Sequence, residues 1–217
     1  MNILSQQLPF IKGFCIAVLF SVALIVIRVI GTGSAFFTFL IWNLFLACIP
    51  YAITTLLSFG SIGENRFLFL IGFMLWLAFI PNAPYILTDL QHIRLSNRQF
   101  IWFDVLLILS FAINGLIIGF VSLQRMQKLL MSWFSKRTVT ILIHSILLLC
   151  GFGIYLGRVL RWNSWDILQH PLDILGDIFQ RFFFPLKYMD TWGFTLGFGC
   201  FLIITYHLIQ FYQKDTM

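Results

Sequence analysis

Runs of about twenty residues that carry no charge, or one only near an edge, recur along this chain, and nothing else limits its fold so tightly. Inside hydrocarbon a backbone N–H or C=O has no water to bond, so such a run closes its hydrogen bonds within itself, as a helix does. Composition agrees with that reading. Of the 217 residues 60% are apolar and 10% charged, against roughly a quarter charged in soluble domains, and the mean hydropathy is +0.93. The net charge of +6 would point to nucleic acid in a soluble protein. Here Lys and Arg flanking membrane spans account for it, so the expected partner is the lipid bilayer and not nucleic acid.

Six spans can be drawn, over residues 10–30, 35–59, 67–80, 101–121, 138–157 and 192–212. The third holds only 14 residues, roughly 21 Å at helical rise. A hydrocarbon core is about 30 Å thick, so the crossing has to be completed by a re-entrant stretch over residues 81–93. Residues 171–184 read as a helix lying in the interface. Leu172, Leu175, Ile178, Phe179, Phe182 and Phe183 form one apolar face, and Asp173, Asp177, Gln180 and Arg181 mark the other. With no repeat, linker or low-complexity tract, residues 1–217 are expected to form one integral membrane domain. The fold class expected is an all-α, polytopic transmembrane helix bundle with a broken third span and one interfacial amphipathic helix.

Lys and Arg divide equally between the two sides of that topology, so the raw count sets no orientation. Arg125, Lys128, Lys136 and Arg137 nonetheless concentrate positive charge, without an acid, between the fourth and fifth spans. Most acids fall opposite. Both termini are therefore expected on the cytoplasmic side of the inner (plasma) membrane. Cys15, Cys48, Cys150 and Cys200 all sit inside apolar runs with no C-x-x-C pair, and read as buried hydrophobes. The first run is full-span in length and lacks a small-residue cleavage site, so it reads as a span and not a signal peptide.

Against this apolar background the stretch FIPNAPYILTDLQH, residues 79–92, stands out. Two prolines interrupt a helix, and an aspartate and a histidine at membrane depth are costly unless they face protein or water. Asn82 is placed to cap a new helix with Pro84 in its first turn. On that helix Tyr85, Asp89 and His92 would share a face. A buried helix end of this kind presents unpaired N–H groups to an anion, as broken helices do in transporters. The plainer explanation, a structural proline kink, needs neither Asp89 nor His92.

A second polar stretch, YLGRVLRWNSWD, covers residues 155–166. Arg158 and Arg161, three apart, suit a phosphate or carboxylate by forked donation. Snorkelling to headgroups with an aromatic belt explains the Arg and Trp residues, but not Asn163, Ser164 and Asp166. Asp104 lies one turn into the fourth span and emerges at the same face. Together Asp89, His92, Asp104 and Asp166 offer proton transfer, or oxygen and nitrogen ligands for a divalent cation. No metal spacing is present, and Mg, Mn and Zn are not separable. His144 and His207 lie at similar depth and are also the ligand set of a b-type haem. No second His pair or small-residue cradle accompanies them, so hydrogen bonding to a neighbouring helix is the plainer reading.

PNAPYILTDLQH followed by GRVLRWNSWD resembles the bacterial multi-pass membrane proteins of domain-of-unknown-function family 1361, over about residues 42–207. The resemblance implies a multi-pass membrane protein of uncharacterised activity. It marks Pro81, Asn82, Pro84, Tyr85, Thr88 and Asp89, then Gly157, Arg158, Arg161, Trp162, Asn163, Ser164, Trp165 and Asp166. The leading expectation is a polar site at the outer membrane face acting on a lipid-linked or other anionic substrate. Asp89, His92, Asp104 and Asp166 would carry the chemistry, and Asn82, Tyr85, Thr88, Arg158, Arg161, Asn163 and Ser164 would bind. The alternatives are a transporter or permease component using the same site, and a non-catalytic accessory or assembly protein.

Overall fold

A computed structural model describes residues 3–59, 65–162 and 166–215, apart from the side chains of 3–7, 167–168 and 213–215. Among the described residues the regular structure is helical throughout. The principal helices are α1 (Ile3–Thr32), α2 (Phe39–Leu57), α3 (Arg66–Phe79), α4 (Ile101–Leu130), α5 (Lys136–Arg158), α6 (Pro171–Phe183) and α7 (Met189–Asp215). Six described segments are long and apolar enough to cross a membrane: Leu8–Thr32, Phe36–Leu57, Arg66–Leu95, Arg98–Leu130, Lys136–Arg158 and Met189–Tyr212. Ile16, Leu19, Ile30, Phe67 and Met74 on these segments are more than half exposed. A surface so apolar belongs in lipid, because soluble proteins do not expose contiguous patches of this kind.

Local chemistry explains where the helices start and stop. α1 ends at Gly33, whose φ of 66° lets its N–H return to the Val29 carbonyl at 2.7 Å. Asn65 caps α3, its side chain accepting from the N–H groups of Phe67 and Leu68. Ser135 caps α5 in the same way through Thr138. α4 runs past the expected end of the fourth span, because Leu123, Met126 and Leu130 keep the buried stripe at helical spacing. Arg125 and Lys128 are therefore helical and not part of a connecting loop.

The third crossing is broken as the prolines require. α3 makes its last regular bond from the Ile80 N–H to the Trp76 carbonyl, 2.9 Å. A single α turn, Asn82–Tyr85, follows the break at Ile80 and Pro81, and then a 3-10 helix runs over Ile86–Leu95. Ten residues of 3-10 winding is a long run for a geometry normally limited to one turn.

The chain forms two compact units, each assembled from two stretches: Met1–Ile49 with Asn82–Gly119, and Pro50–Pro81 with Phe120–Met217. Within the first, the Asn82–Tyr85 turn lies directly on α4. A Cβ at Gly115 would sit 2.6 Å from the Ala83 carbonyl oxygen, and one at Gly119 would sit 2.5 Å from the Ala83 Cβ. The sequence GLIIG is thus a small-residue contact of the G-x-x-x-G type. Within the second unit, α5 and α7 meet backbone to backbone, where a Cβ on Gly151 would lie 2.5 Å from the Thr195 carbonyl oxygen.

The helix expected over 171–184 is present as α6, with Arg181 turned inward and Asp173 and Gln180 exposed. Ile174 and Arg181 are buried, while Leu172, Leu175, Phe179, Phe182 and Phe183 are exposed. Arg181 donates to the Asp177 carboxylate at 2.9 Å, and its guanidinium lies 4.8 Å from the Tyr188 ring centre. The Trp162 indole bonds the other Asp177 oxygen at 2.8 Å.

Candidate functional site

The first unit holds three of the four residues expected to carry the chemistry, Asp89, His92 and Asp104. Asp89 belongs to the 3-10 segment and is almost wholly buried, at 1% exposure, whereas His92 one turn on keeps 25%. One Asp89 oxygen accepts from the Asn43 side-chain amide of α2 at 2.9 Å. The other faces the His92 Nε2 at 3.7 Å. The imidazole is set between the rings of Phe36 and Phe39, edge to face, with centres 5.9 and 5.2 Å away. A buried carboxylate held by an amide on one side and facing an imidazole on the other is an arrangement for orienting that imidazole. The 3.7 Å separation is longer than a hydrogen bond, so the contact between the two groups is electrostatic.

The winding of the segment changes which residues share its face. Residues three apart eclipse in a 3-10 helix, so Ile86, Asp89 and His92 form one ridge. Tyr85, expected on that ridge from α-helical spacing, falls instead in line with Thr88, whose hydroxyl donates to the Tyr85 carbonyl at 2.6 Å. Asn82 opens the single turn and is half-buried.

Asp104, expected to act together with Asp89, His92 and Asp166, is paired instead with Arg28. It is fully buried, and the Arg28 guanidinium grips it twice, Nε to Oδ1 at 2.5 Å and Nη2 to Oδ2 at 3.0 Å. The Ser96 hydroxyl donates to the same carboxylate. Arg28 is covered by the rings of Phe100 and Phe37, at 4.8 and 5.7 Å. In the sequence Arg28 counts only as one of the Lys and Arg residues flanking the spans. The available signal is that Arg28, near the C-terminal end of the first span, and Asp104, near the N-terminal end of the fourth, stand at one depth with opposite charge. Asn114 completes the tie between α1 and α4, donating to the Ser21 hydroxyl at 2.9 Å.

The remaining expected residues fall in the second unit. Arg158 is the last residue of α5 and is half-buried, while Arg161 is exposed with φ at +64°. That left-handed turn ends the helix, and the Trp162 N–H bonds the Leu156 carbonyl at 3.0 Å. The helical i,i+3 relation on which their convergence rested therefore does not apply. Asp166 begins a short turn, Asp166–Gln169. Asn163, Ser164 and Trp165 lie outside the described residues.

Among the described residues no group of three His, Cys, Asp or Glu side chains gathers where it would hold a metal ion. Asp89 and His92 make a pair, and Asp104 does not extend it. His144 and His207 do face one another, but their Nε2 atoms are 2.7 Å apart and share a hydrogen bond. A metal between two imidazoles would hold those nitrogens about 4 Å apart, twice a metal–nitrogen bond, so this pair in its present form does not fit one.

Six apolar spanning segments with lipid-suited outer faces define a polytopic α-helical membrane protein. The chain belongs to the family described as Protein of unknown function (DUF1361), whose model matches residues 42–205. Comparisons with curated proteins and with solved structures give no match. The family match takes in Asn43, Asp89 and His92, and begins beyond Arg28.

Proposed function

We propose that this protein is a membrane-embedded enzyme that acts on a lipid-linked or other anionic substrate, using His92 as the proton-transferring group and Asp89 to orient it. The observation that carries this reading is the asymmetry of the pair: a carboxylate at 1% exposure behind an imidazole at 25%. A carboxylate is expensive to bury, and a structural role would be served by a neutral residue. Placed behind an imidazole that reaches the surface, it stabilises the imidazolium that forms when His92 takes a proton. Asn43 fixes the carboxylate, and the aromatic walls of Phe36 and Phe39 limit the ring's rotation.

Arg158 and Arg161, in the second unit, are assigned to an anion on donor chemistry alone, since their forked guanidiniums match oxyanions. The membrane face of His92 is the outer one, with both termini cytoplasmic in the plasma membrane. Asp104 acts in this scheme as the counter-ion of Arg28 and not as a proton carrier.

The test follows turnover of the membrane's own lipids by mass spectrometry, with purified protein reconstituted in a total lipid extract. The wild-type protein is expected to convert one phosphate-bearing component, and His92→Gln to lower the rate about 10²- to 10⁴-fold. Product formation unchanged in His92→Gln ends the proposal. Proton- or substrate-driven flux in sealed liposomes without any product would assign the same pair to a transporter instead.

A further inference from the structure

At the other end of the second unit, α4, α5 and α7 enclose a cavity of about 760 Å³. Its polar lining includes Gln127, Lys128, Lys136, His144, His207 and Gln210, and no acid is among the lining residues. Gln127 organises the wall, its side-chain oxygen accepting from the Tyr206 hydroxyl at 2.6 Å and from Gln210 at 2.9 Å. Lys128 and Lys136 stand exposed at its mouth, at the end of α4 and the start of α5. His144 lies eight residues into α5 from Lys136, roughly 12 Å deeper at helical rise.

His207 and Gln210 also line a second recess, a groove of about 450 Å³ along α7. Its other walls are Ile203, Ile204, Leu208 and Phe211. Cations and amides at the mouth, imidazoles deeper, then an open apolar groove along α7: that order of chemistry is the order of a phospholipid from head to tail.

We propose that this cavity and groove bind one anionic membrane phospholipid, its phosphate at Lys128 and Lys136 and one acyl chain along Ile203, Ile204 and Leu208. The positive charge at the mouth selects an acidic headgroup. The remaining amide N–H groups donate to the glycerol ester oxygens. The site shares no residue with the Asn43–Asp89–His92 arrangement and does not depend on the activity proposed for it.

Native mass spectrometry of the full chain, released from micelles carrying equal phosphatidylglycerol and phosphatidylcholine, tests this directly. Phosphatidylglycerol is expected to be retained over phosphatidylcholine about tenfold, with K128Q/K136Q removing that preference. Leu208→Trp, at an exposed position in the groove, is expected to lower retention of both lipids. Equal retention of the two by the wild-type protein, or an unchanged preference in K128Q/K136Q, overturns the proposal. So does displacement of the lipid by millimolar inorganic phosphate, which would make the ligand a free anion.

Discussion

Arg28 and Asp104 illustrate how unequal the polar residues of this protein are. Both are buried, at 9% and 0% exposure, and each satisfies the other through two hydrogen bonds. Removing one partner leaves a buried charge uncompensated, which costs about 3–5 kcal/mol. Arg28→Ala or Asp104→Asn should therefore lower the unfolding midpoint in detergent markedly, and the double variant should recover part of that loss. His92 stands in contrast. It is partly exposed, and the Asn43 amide holds the Asp89 carboxylate independently of it, so His92→Gln should lower turnover about 10²- to 10⁴-fold while leaving the midpoint within about 0.5 kcal/mol of wild type in stability. A large loss of stability in His92→Gln would move the residue from chemistry to structure. Sequence gave Asp89 and Asp104 the same weight, since each is an acid in an apolar run. What separates them is the neighbour, an amide with an imidazole for one and a guanidinium for the other.

The segment from Ile80 to Leu95 owes its form to what its prolines remove. Pro81 and Pro84 have no N–H to give, and the Thr88 hydroxyl takes up the Tyr85 carbonyl, so the regular α ladder is not re-established and the tighter winding follows. The segment is held by its bearing on α4. Gly115→Ala pushes a methyl against the Ala83 carbonyl oxygen, 2.6 Å from the new Cβ, and should cost about 1–3 kcal/mol. Amide exchange over residues 82–95 should quicken with it. Gly197→Ala meets nothing within 4 Å and is expected to be neutral or stabilising by up to about 1 kcal/mol. Equal exchange in both variants would show that the contact does not hold the segment. α6 makes a second prediction at this scale. Spin labels at Phe179 and Phe183 should be accessible to oxygen dissolved in lipid and shielded from a water-soluble relaxant, with the reverse at Asp173.

For the molecule as a whole, the disposition of Lys and Arg is the only orientation signal, and it rests on Arg125, Lys128, Lys136 and Arg137. Arg125 is spoken for, donating to the Thr55 and Tyr51 hydroxyls at 2.7 and 2.9 Å, so fewer of these charges are free to act on lipid than the sequence implied. Activity reporters fused at the two termini are expected to agree, both on the cytoplasmic side. Reporters on opposite faces would mean that the residues after Pro81 turn back without completing a crossing.

The amino-acid sequence alone determined the helical membrane class, the break at Pro81, the amphipathic helix over Pro171–Phe183 and the shared face of Asp89 and His92. Each of these depends on local matters: run length, missing N–H groups, the 3.6-residue period, and the cost of an ionisable group in hydrocarbon. Tertiary structure alone decided the partners. That Asp104 answers Arg28, that Asn43 holds Asp89, and that His144 meets His207 are facts about residues 46 to 76 positions apart. One chain offers several residues of the right charge at any given depth, and only packing, such as the close seat of Ala83 on Gly115 and Gly119, selects among them.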